Sequence, residues 1–300
     1  MAAKPDSKTK APPGPPKGGG SKLDVATLAG IGLATAGIIG GLLLENGSIQ
    51  DVAQATAALI VLGGTFGAVL VTTPMPVFLR AMKGLREVFF ERASNAAGTI
   101  ETLIGFATQA RKNGIVSLES EADKVQDPFL RKALNLAVDG TDLNELKKMM
   151  EVDMDMSEQA AESEAKVWEA AGGYSPTIGI IGAVMGLIQV MKHLDDIKEV
   201  GHGIAVAFVA TVYGVGAANI LFLPSASKLR ARIHGAKILK EMALEGVVGI
   251  VEGLNPTLIR MKLNAFSLEP ASPKVKAAKA KPQAKPAAKP RVPQAAEAGS

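Results

Sequence analysis

The chain has 300 residues, a net charge of +4 and a mean hydropathy of +0.20, with 47% hydrophobic and 21% charged residues. The absence of cysteine excludes a disulfide scaffold, a thiolate zinc site and a cysteine nucleophile, and three histidines disfavour a histidine metal site. Abundant glycine and alanine with few aromatic residues indicate closely packed apolar helices rather than the core of a soluble domain.

Both ends of the chain are basic and rich in proline, alanine and lysine. Residues 1–22 carry five lysines against one aspartate, residues 271–300 carry seven basic side chains against one glutamate, and the body 23–270 is acidic. Such segments bury too little apolar surface to fold, so both tails are predicted to be disordered. Because no aromatic residue interleaves with the lysines, we expect the tails to attract anionic lipid or aid solubility, and not to bind nucleic acid.

Four long segments contain no Asp, Glu, Lys or Arg. They are residues 25–44, 52–79, 170–191 and 200–227. Each has about the 20 residues that a helix needs to cross the hydrocarbon core of a bilayer. We therefore predict an all-α polytopic membrane protein with four spanning helices, and we expect the first segment not to be a cleaved signal peptide.

The flanking charges predict the orientation of these spans. The connection 45–51 has no Lys or Arg, whereas many basic residues follow the second and fourth spans (Arg80, Lys83, Arg86, Arg92; Lys228, Arg230, Arg232, Lys237, Lys240). By the positive-inside rule, both termini and the segment 80–169 are predicted to lie in the cytoplasm. The predicted divisions are spans one and two in 23–79, a cytoplasmic helical domain in 80–169, spans three and four in 170–227, and a cytoplasmic helix in 228–270.

Small residues recur at helical spacing in three of the spans. The stripes are Gly30, Ala34, Gly37 and Gly41; Pro176, Gly179, Ala183 and Gly186; and Gly203, Ala207, Ala210, Gly214 and Ala217. Such stripes let helix backbones approach closely in lipid. They could serve packing within one chain alone, but three stripes on four helices favour self-association.

The spans hold few polar groups and two matched prolines. An ion transporter ordinarily needs an ionisable group at depth, so either no ion passes or another protein supplies that group. Thr211 lies near mid-depth beside a stripe, where a neighbouring helix could reach its hydroxyl. Pro176 and Pro224 lie at similar depth near the cytoplasmic ends of spans three and four, and each frees a backbone carbonyl. We interpret the pair as a hinge rather than two passive kinks.

The segment between spans two and three has helical patterns. Residues 99–113 place apolar side chains on one face, and Gly114 ends that helix. Asp127 and Pro128 begin a second helix, and residues 142–169 form a long acidic helix that runs into span three.

Paired charges flank the turn at Gly114. They are Arg111 and Lys112 before it, and Glu119 and Glu121 after it. They form either a solvated face or a docking surface for a charged partner. Because the chain has no phosphate loop, nucleophile elbow, metal-ligand cluster or dinucleotide fingerprint, we expect no enzyme activity and no cofactor or metal.

Six segments at consistent spacing resemble the MotA-type flagellar stator subunits, whose relatives include the sodium-driven PomA. The segments are LDVATLAG (23–30), LIVLGGTFGAVLVTTP (59–74), ARKNGIVSLE (110–119), DPFLRKALNLAVDG (127–140), AGGYSPTIGIIGAVMGL (171–187) and GHGIAVAFVATVYGVGAANILFLP (201–224). The resemblance covers about residues 23–266 and leaves out only the tails. It implies a homopentamer around two MotB-type subunits in the bacterial inner membrane. Those partners supply the membrane aspartate, and ion flow turns the pentamer against the rotor switch protein FliG.

The resemblance also implies roles for individual residues. Pro176 and Pro224 stand at the two functional prolines of the family, and Thr211 matches the threonine near the ion path. The rotor-contacting pair corresponds to Arg111 and Glu119, with Lys112 and Glu121 as weaker candidates. Ala183 stands where sodium-driven stators have a threonine. Because hard cations prefer oxygen ligands, this alanine favours protons as the coupling ion, with Na⁺ left open.

Two other functions fit part of the pattern. TolQ and ExbB energisers of outer-membrane processes share the pentamer and the partner's aspartate, but they typically have three spans and a different order of loops. A structural membrane scaffold without ion flow would leave Thr211 and the paired prolines unexplained. The four spans and the segment 110–119 favour the stator.

Overall fold

The computed structural model describes residues 22–91 and 96–266, so the predicted disorder of the two tails falls outside the described residues except at Lys22. The described chain is helical apart from one short antiparallel pair, β1 (Lys22–Leu23) with β2 (Phe90–Glu91). The all-α fold is confirmed. The helices are α1 (Val25–Leu44), α2 (Ile49–Val52), α3 (Ala55–Thr72), α4 (Met75–Phe89), α5 (Ala96–Asn113), α6 (Glu119–Ala122), α7 (Pro128–Val138), α8 (Leu143–Lys192), α9 (Ile197–Gly216), α10 (Leu223–Val251) and α11 (Pro256–Asn264).

Within the described residues, four helical segments are long and apolar enough to cross a membrane. They are Val25–Leu44, Ile49–Thr72, Leu143–Lys192 and Ile197–Val251. The prediction of four spans is therefore confirmed, and the chain is a membrane protein.

The second span is shorter than the uncharged segment 52–79 predicted. Helix α3 ends at Thr72, and Thr73 is extended because the ring of Pro74 disfavours a helical residue before it. Residues 75–79 instead open α4, whose apolar face packs on the protein and whose other face is basic. A lack of charge therefore does not distinguish the end of a span from the start of an amphipathic helix.

Helix α8 has 50 residues, about 75 Å at 1.5 Å per residue, so it extends well beyond the bilayer. Asp142 caps its start by accepting hydrogen bonds from the backbone N–H groups of Asn144 and Glu145. The predicted acidic helix and span three are one continuous element, as the sequence indicated.

The fourth span continues beyond its apolar segment in the same way. A π-helical turn, Ala217–Phe222, joins α9 to α10 without a loop. The C-terminal segment, predicted as one helix, is two. Helix α10 ends at Val251, Gly253 has a φ of 70°, and α11 begins at Pro256.

The spans differ in how they pack. Helices α3, α8 and α9 form a bundle with buried residues on each, whereas no residue of α1 is buried. One end of the bundle closes over Trp168, whose ring lies 6.0 Å from that of Phe222 and whose indole N–H donates to the carbonyl of Ala81 at 3.2 Å. Farther from the membrane, a second core joins α5, α7, the start of α8, the end of α10 and α11.

Ion pairs join the polar parts of α8 and α10. Arg230 pairs with Glu162 at 2.8 Å and with Glu169, and Lys237 pairs with Glu158 at 2.6 Å. The hydrogen bond from Arg230 holds the pKa of Glu169 below its ordinary value. These pairs explain the acidic face of α8, which lies against the basic start of α10.

A buried ion cluster anchors the start of α1. Asp24 is only 7% exposed and accepts from the backbone N–H of Thr27 at 3.0 Å. Its carboxylate pairs with Lys228 and with Arg232 at 3.0 Å. Arg232 also donates to the carbonyl of Phe90 at 2.8 Å. Because α1 has no buried residue of its own, this cluster is its main polar attachment to the rest of the chain.

We predict that Asp24→Asn destabilises the attachment of α1 by about 1–3 kcal/mol, because it keeps the helix cap but removes the charge that balances two cations. The hydrogen bond from Lys228 and that from Thr27 hold the pKa of Asp24 well below its ordinary value of 3.8. The stabilisation is therefore complete above about pH 4 and is lost as the pH falls lower. Thermal unfolding of the purified complex and trypsin cleavage near α1 would measure the effect.

The matched control is Glu101→Gln, which breaks the pair of Glu101 with Arg260, where the side chains are 59% and 40% exposed. Exposed pairs contribute little, so this variant should unfold close to wild type. Equal unfolding of both variants would contradict a special role for Asp24.

Candidate functional site

Helices α8 and α9 meet along two of the predicted stripes. A Cβ placed on Gly179 would lie 2.9 Å from the carbonyl oxygen of Ala210, and one on Gly186 would lie 2.7 Å from that of Gly203. The hydroxyl of Ser175 donates to the carbonyl of Gly214 at 2.9 Å. The stripes of spans three and four therefore serve packing within the chain.

The stripe of α1 is different. A Cβ on Gly30, Gly37 or Gly41 would meet nothing within 4 Å. Within the described residues of the single chain this stripe is uncovered, and self-association stays a prediction.

Ala183 and Thr211 flank one helix crossing. Gly182 and Ala210 are in close contact at this crossing, since a Cβ placed on Gly182 would lie 2.8 Å from the Cβ of Ala210. Ala183 directly follows Gly182 in the chain, and Thr211 directly follows Ala210. Both residues are half-buried. The hydroxyl of Thr211 donates to the carbonyl of Ala207 on its own helix at 3.2 Å, so no neighbouring helix takes it up. Of these two residues, Thr211 thus contributes a half-exposed hydroxyl, Ala183 contributes no polar side-chain atom, and neither brings a charge.

The turns that carry the two prolines lie against each other. Pro176 leaves the carbonyl of Gly172 without its intrahelical donor, and a Cβ on Gly172 would lie 2.5 Å from the side chain of Leu223, the neighbour of Pro224. Helix α8 continues through Pro176, and the π-helical turn precedes Pro224. Local π geometry is common at functional positions, and here it accommodates the missing N–H.

Two hydrogen bonds and one buried hydroxyl group without a partner are absent from the sequence-based prediction. Ser175 bonds α8 to α9 next to Pro176, and the hydroxyl of Tyr213 donates to the carbonyl of Val52 at 2.5 Å. Thr65 is fully buried on α3, and among the residues that the structure describes its hydroxyl has no hydrogen-bond partner. The serine lies one residue before the stripe of span three, which is the only signal that could have identified it.

The predicted rotor-contacting residues lie around the end of α5. Gly114, with a φ of 83°, ends the helix, and a short 3-10 turn at Ile115–Leu118 leads to Glu119. Arg111, Lys112 and Glu119 are exposed and form no ion pair within the described part of the chain.

Glu121 differs from these three residues. It is half-buried and pairs with Lys124 at 2.8 Å, so its charge is already balanced. The structure therefore separates three free charges from one that has a partner, and it contains no cluster of three metal-ligating side chains among the residues searched.

Comparison with known proteins identifies the family. Residues 28–114 match the family model described as motility protein A N-terminal, and residues 121–242 match the MotA/TolQ/ExbB proton channel family. Motility protein A of Helicobacter pylori is 34% identical over 252 residues, which are 84% of this chain and 98% of the relative. The chain belongs to the motility protein A family. PomA of Vibrio alginolyticus, a relative in the same family, is 31% identical over 81% of this chain and 95% of its own length.

Solved structures agree with the membership of the motility protein A family. The C. jejuni MotAB structure matches with a TM-score of 0.79 at 33% identity, covering 84% of this chain and 98% of the matched chain. The flagellar MotAB stator complex of Bacillus subtilis matches with a TM-score of 0.75 at 32% identity, covering 85% and 100%. The function that follows for this motility protein A chain is that of a flagellar stator subunit of the proton channel family.

Proposed function

We propose that the chain works with a MotB-type partner as the subunit of a flagellar stator that both lines the ion path and applies torque. The partner provides the membrane carboxylate, since the four spans of this chain carry none. Five copies surround two partner copies in the inner membrane, both termini lie in the cytoplasm, and the uncovered stripe of α1 supports association between copies. The rotor partner is the switch protein FliG.

The observation that carries this proposal is the continuity of the helices. Helix α8 passes without a break from Asp142 in the cytoplasm through Pro176 to its outer end, and the π-helical turn joins α9 directly to α10. A movement at the two prolines therefore reaches the cytoplasmic domain, and Arg111 and Glu119 on its surface, through rigid elements. A passive scaffold needs no such connection.

We further propose that the coupling ion is a proton. Beside the crossing of α8 and α9, Ala183 offers no oxygen, and the single hydroxyl of Thr211 is bonded to Ala207. A sodium ion needs several oxygen ligands, whereas a proton needs only the carboxylate that the partner supplies.

We predict that swimming speed in cells relying on this stator stays the same, within about 20%, when Na⁺ is replaced by K⁺ at constant proton-motive force, because the side chain of Ala183 offers no oxygen and the hydroxyl of Thr211 is bonded to Ala207. Tracking of single cells at several sodium concentrations measures this. A protonophore should stop the cells in both media. A swimming speed that rises with sodium concentration would show that the coupling ion is Na⁺ and not the proton.

A further inference from the structure

A cleft of about 370 Å³ opens in the cytoplasmic domain where α5, α7 and α10 end. Helix α10 starts at the membrane with Leu223 and runs for 29 residues, so the cleft lies about 40 Å away from that start. Only a partner in the cytoplasm can reach it from that side. Its walls are mainly aliphatic, with Ala107, Ala110, Ile115, Ala137, Ile250 and Val251 among the lining residues.

The loops around the cleft are fixed by helix-ending glycines. Gly140, with a φ of 74°, and Gly253, with a φ of 70°, both line it and end α7 and α10. Glycine adopts this left-handed conformation without strain, so the chain turns sharply and leaves space between the helix ends. The cleft is therefore formed before any partner binds, which lowers the entropy cost of binding.

One charged residue, Arg111, is among those that line the cleft. Lys112 is the next residue, and both are exposed without an ion pair in the described chain. Elsewhere in the same domain Arg260 pairs with Glu101 at 2.8 Å and Lys262 pairs with Glu245 at 2.7 Å. An apolar depression beside a free cation suits a partner that presents an apolar side chain next to a carboxylate.

We propose that this cleft receives one apolar side chain of the rotor protein, while Arg111 pairs with a carboxylate one helical turn away on the same partner helix. The inference rests on the proposed stator function and adds a second, apolar component to the charged contact. A single small anchor gives a contact area well below that of a stable complex, so the contact forms and releases rapidly. Rapid release is what repeated steps along a rotor require.

The test uses the full chain with its MotB-type partner in lipid nanodiscs and purified FliG of the same organism as the probe. Ala110→Leu and Thr141→Leu fill the cleft from two different elements. Each should weaken FliG binding about tenfold, the loss expected when an apolar anchor is excluded. The control Gly105→Leu adds the same side chain to α5, where a Cβ meets nothing within 4 Å, and should bind as wild type.

The outcomes separate this inference from the function on which it rests. If Arg111→Glu weakens binding and both cleft-filling variants bind normally, the cleft proposal is wrong and the stator function stands. If the wild-type complex does not bind FliG at all, both are wrong. If the cleft-filling variants disrupt the assembly seen by size-exclusion chromatography instead, a neighbouring copy occupies the cleft and the proposal is also overturned. A photo-crosslinker at Val251 should capture FliG, and one at the exposed Leu258 should not.

Discussion

Replacing Gly214 with valine is expected to abolish swimming and to remove nearly all assembled complex from the membrane. A Cβ at this position would lie 2.7 Å from the carbonyl oxygen of Ser175 and 3.0 Å from the Cα of Gly179. Both are backbone atoms of α8, so no side-chain rotation relieves the clash and the two helices must separate. Overpacking of this kind costs about 1–3 kcal/mol per site, and separation also breaks the hydrogen bond from Ser175.

The matched control is Gly216→Val on the same helix, because a Cβ there meets nothing within 4 Å. The two variants carry the same intrinsic cost of valine in a helix, so the difference between them measures packing alone. Complex yield after mild detergent extraction, its thermal midpoint and swimming speed are the readouts. Normal yield and speed for Gly214→Val would show that α8 and α9 are not packed as described.

Reversal of the charge at Arg111 is expected to lower swimming speed at least about fivefold while the complex still inserts and assembles. Arg111 and Glu119 are exposed and unpaired in the described chain, so their replacement breaks no ion pair within the described chain. It changes only the electrostatic attraction between this surface and a charged partner. Glu119→Lys should have an effect of the same kind. Glu121→Lys should act mainly on its pair with Lys124 and reduce speed less.

Lys166→Glu supplies the comparison, since Lys166 is exposed on α8 and makes no ion pair in the described residues. It changes the net charge by the same amount, so unchanged swimming would show that position matters and not total charge. A charge reversal on FliG that restores the speed of Arg111→Glu would identify the pair directly. Normal torque in both Arg111→Glu and Glu119→Lys would contradict the rotor contact.

Many local features of the fold could be predicted because they depend on neighbouring residues. Asp127 caps α7 by accepting from the N–H of Phe129, and Gly114 ends α5 with a positive φ. The acidic pattern before span three correctly predicted that α8 would continue into the membrane. These signals act over one or two helical turns, so the sequence alone contains them.

The ends of helices were predicted less accurately where a membrane span and an amphipathic helix favour the same uncharged residues. Residues 75–79 are uncharged whether they extend a span or begin α4, so the end of α3 was placed too late. The C-terminal segment looked like one helix because Gly253 gives only a weak local signal of a break. The roles expected of Arg111, Glu119, Thr211 and the two prolines were inferred from the family resemblance and not from local sequence patterns.

The amino-acid sequence by itself determined that this chain has four membrane spans without a carboxylate and a helical domain between the second and third spans, and its motifs carried the resemblance to the stator family. It did so because hydropathy, helix ends and small-residue spacing are properties of neighbouring residues. Only the tertiary structure decided which stripes are buried, that Thr211 bonds its own helix, and that Glu121 has an ion-pair partner while Arg111 and Glu119 have none among the described residues. Those distinctions depend on contacts between residues far apart in the chain, and identical local patterns can be packed, paired or left open.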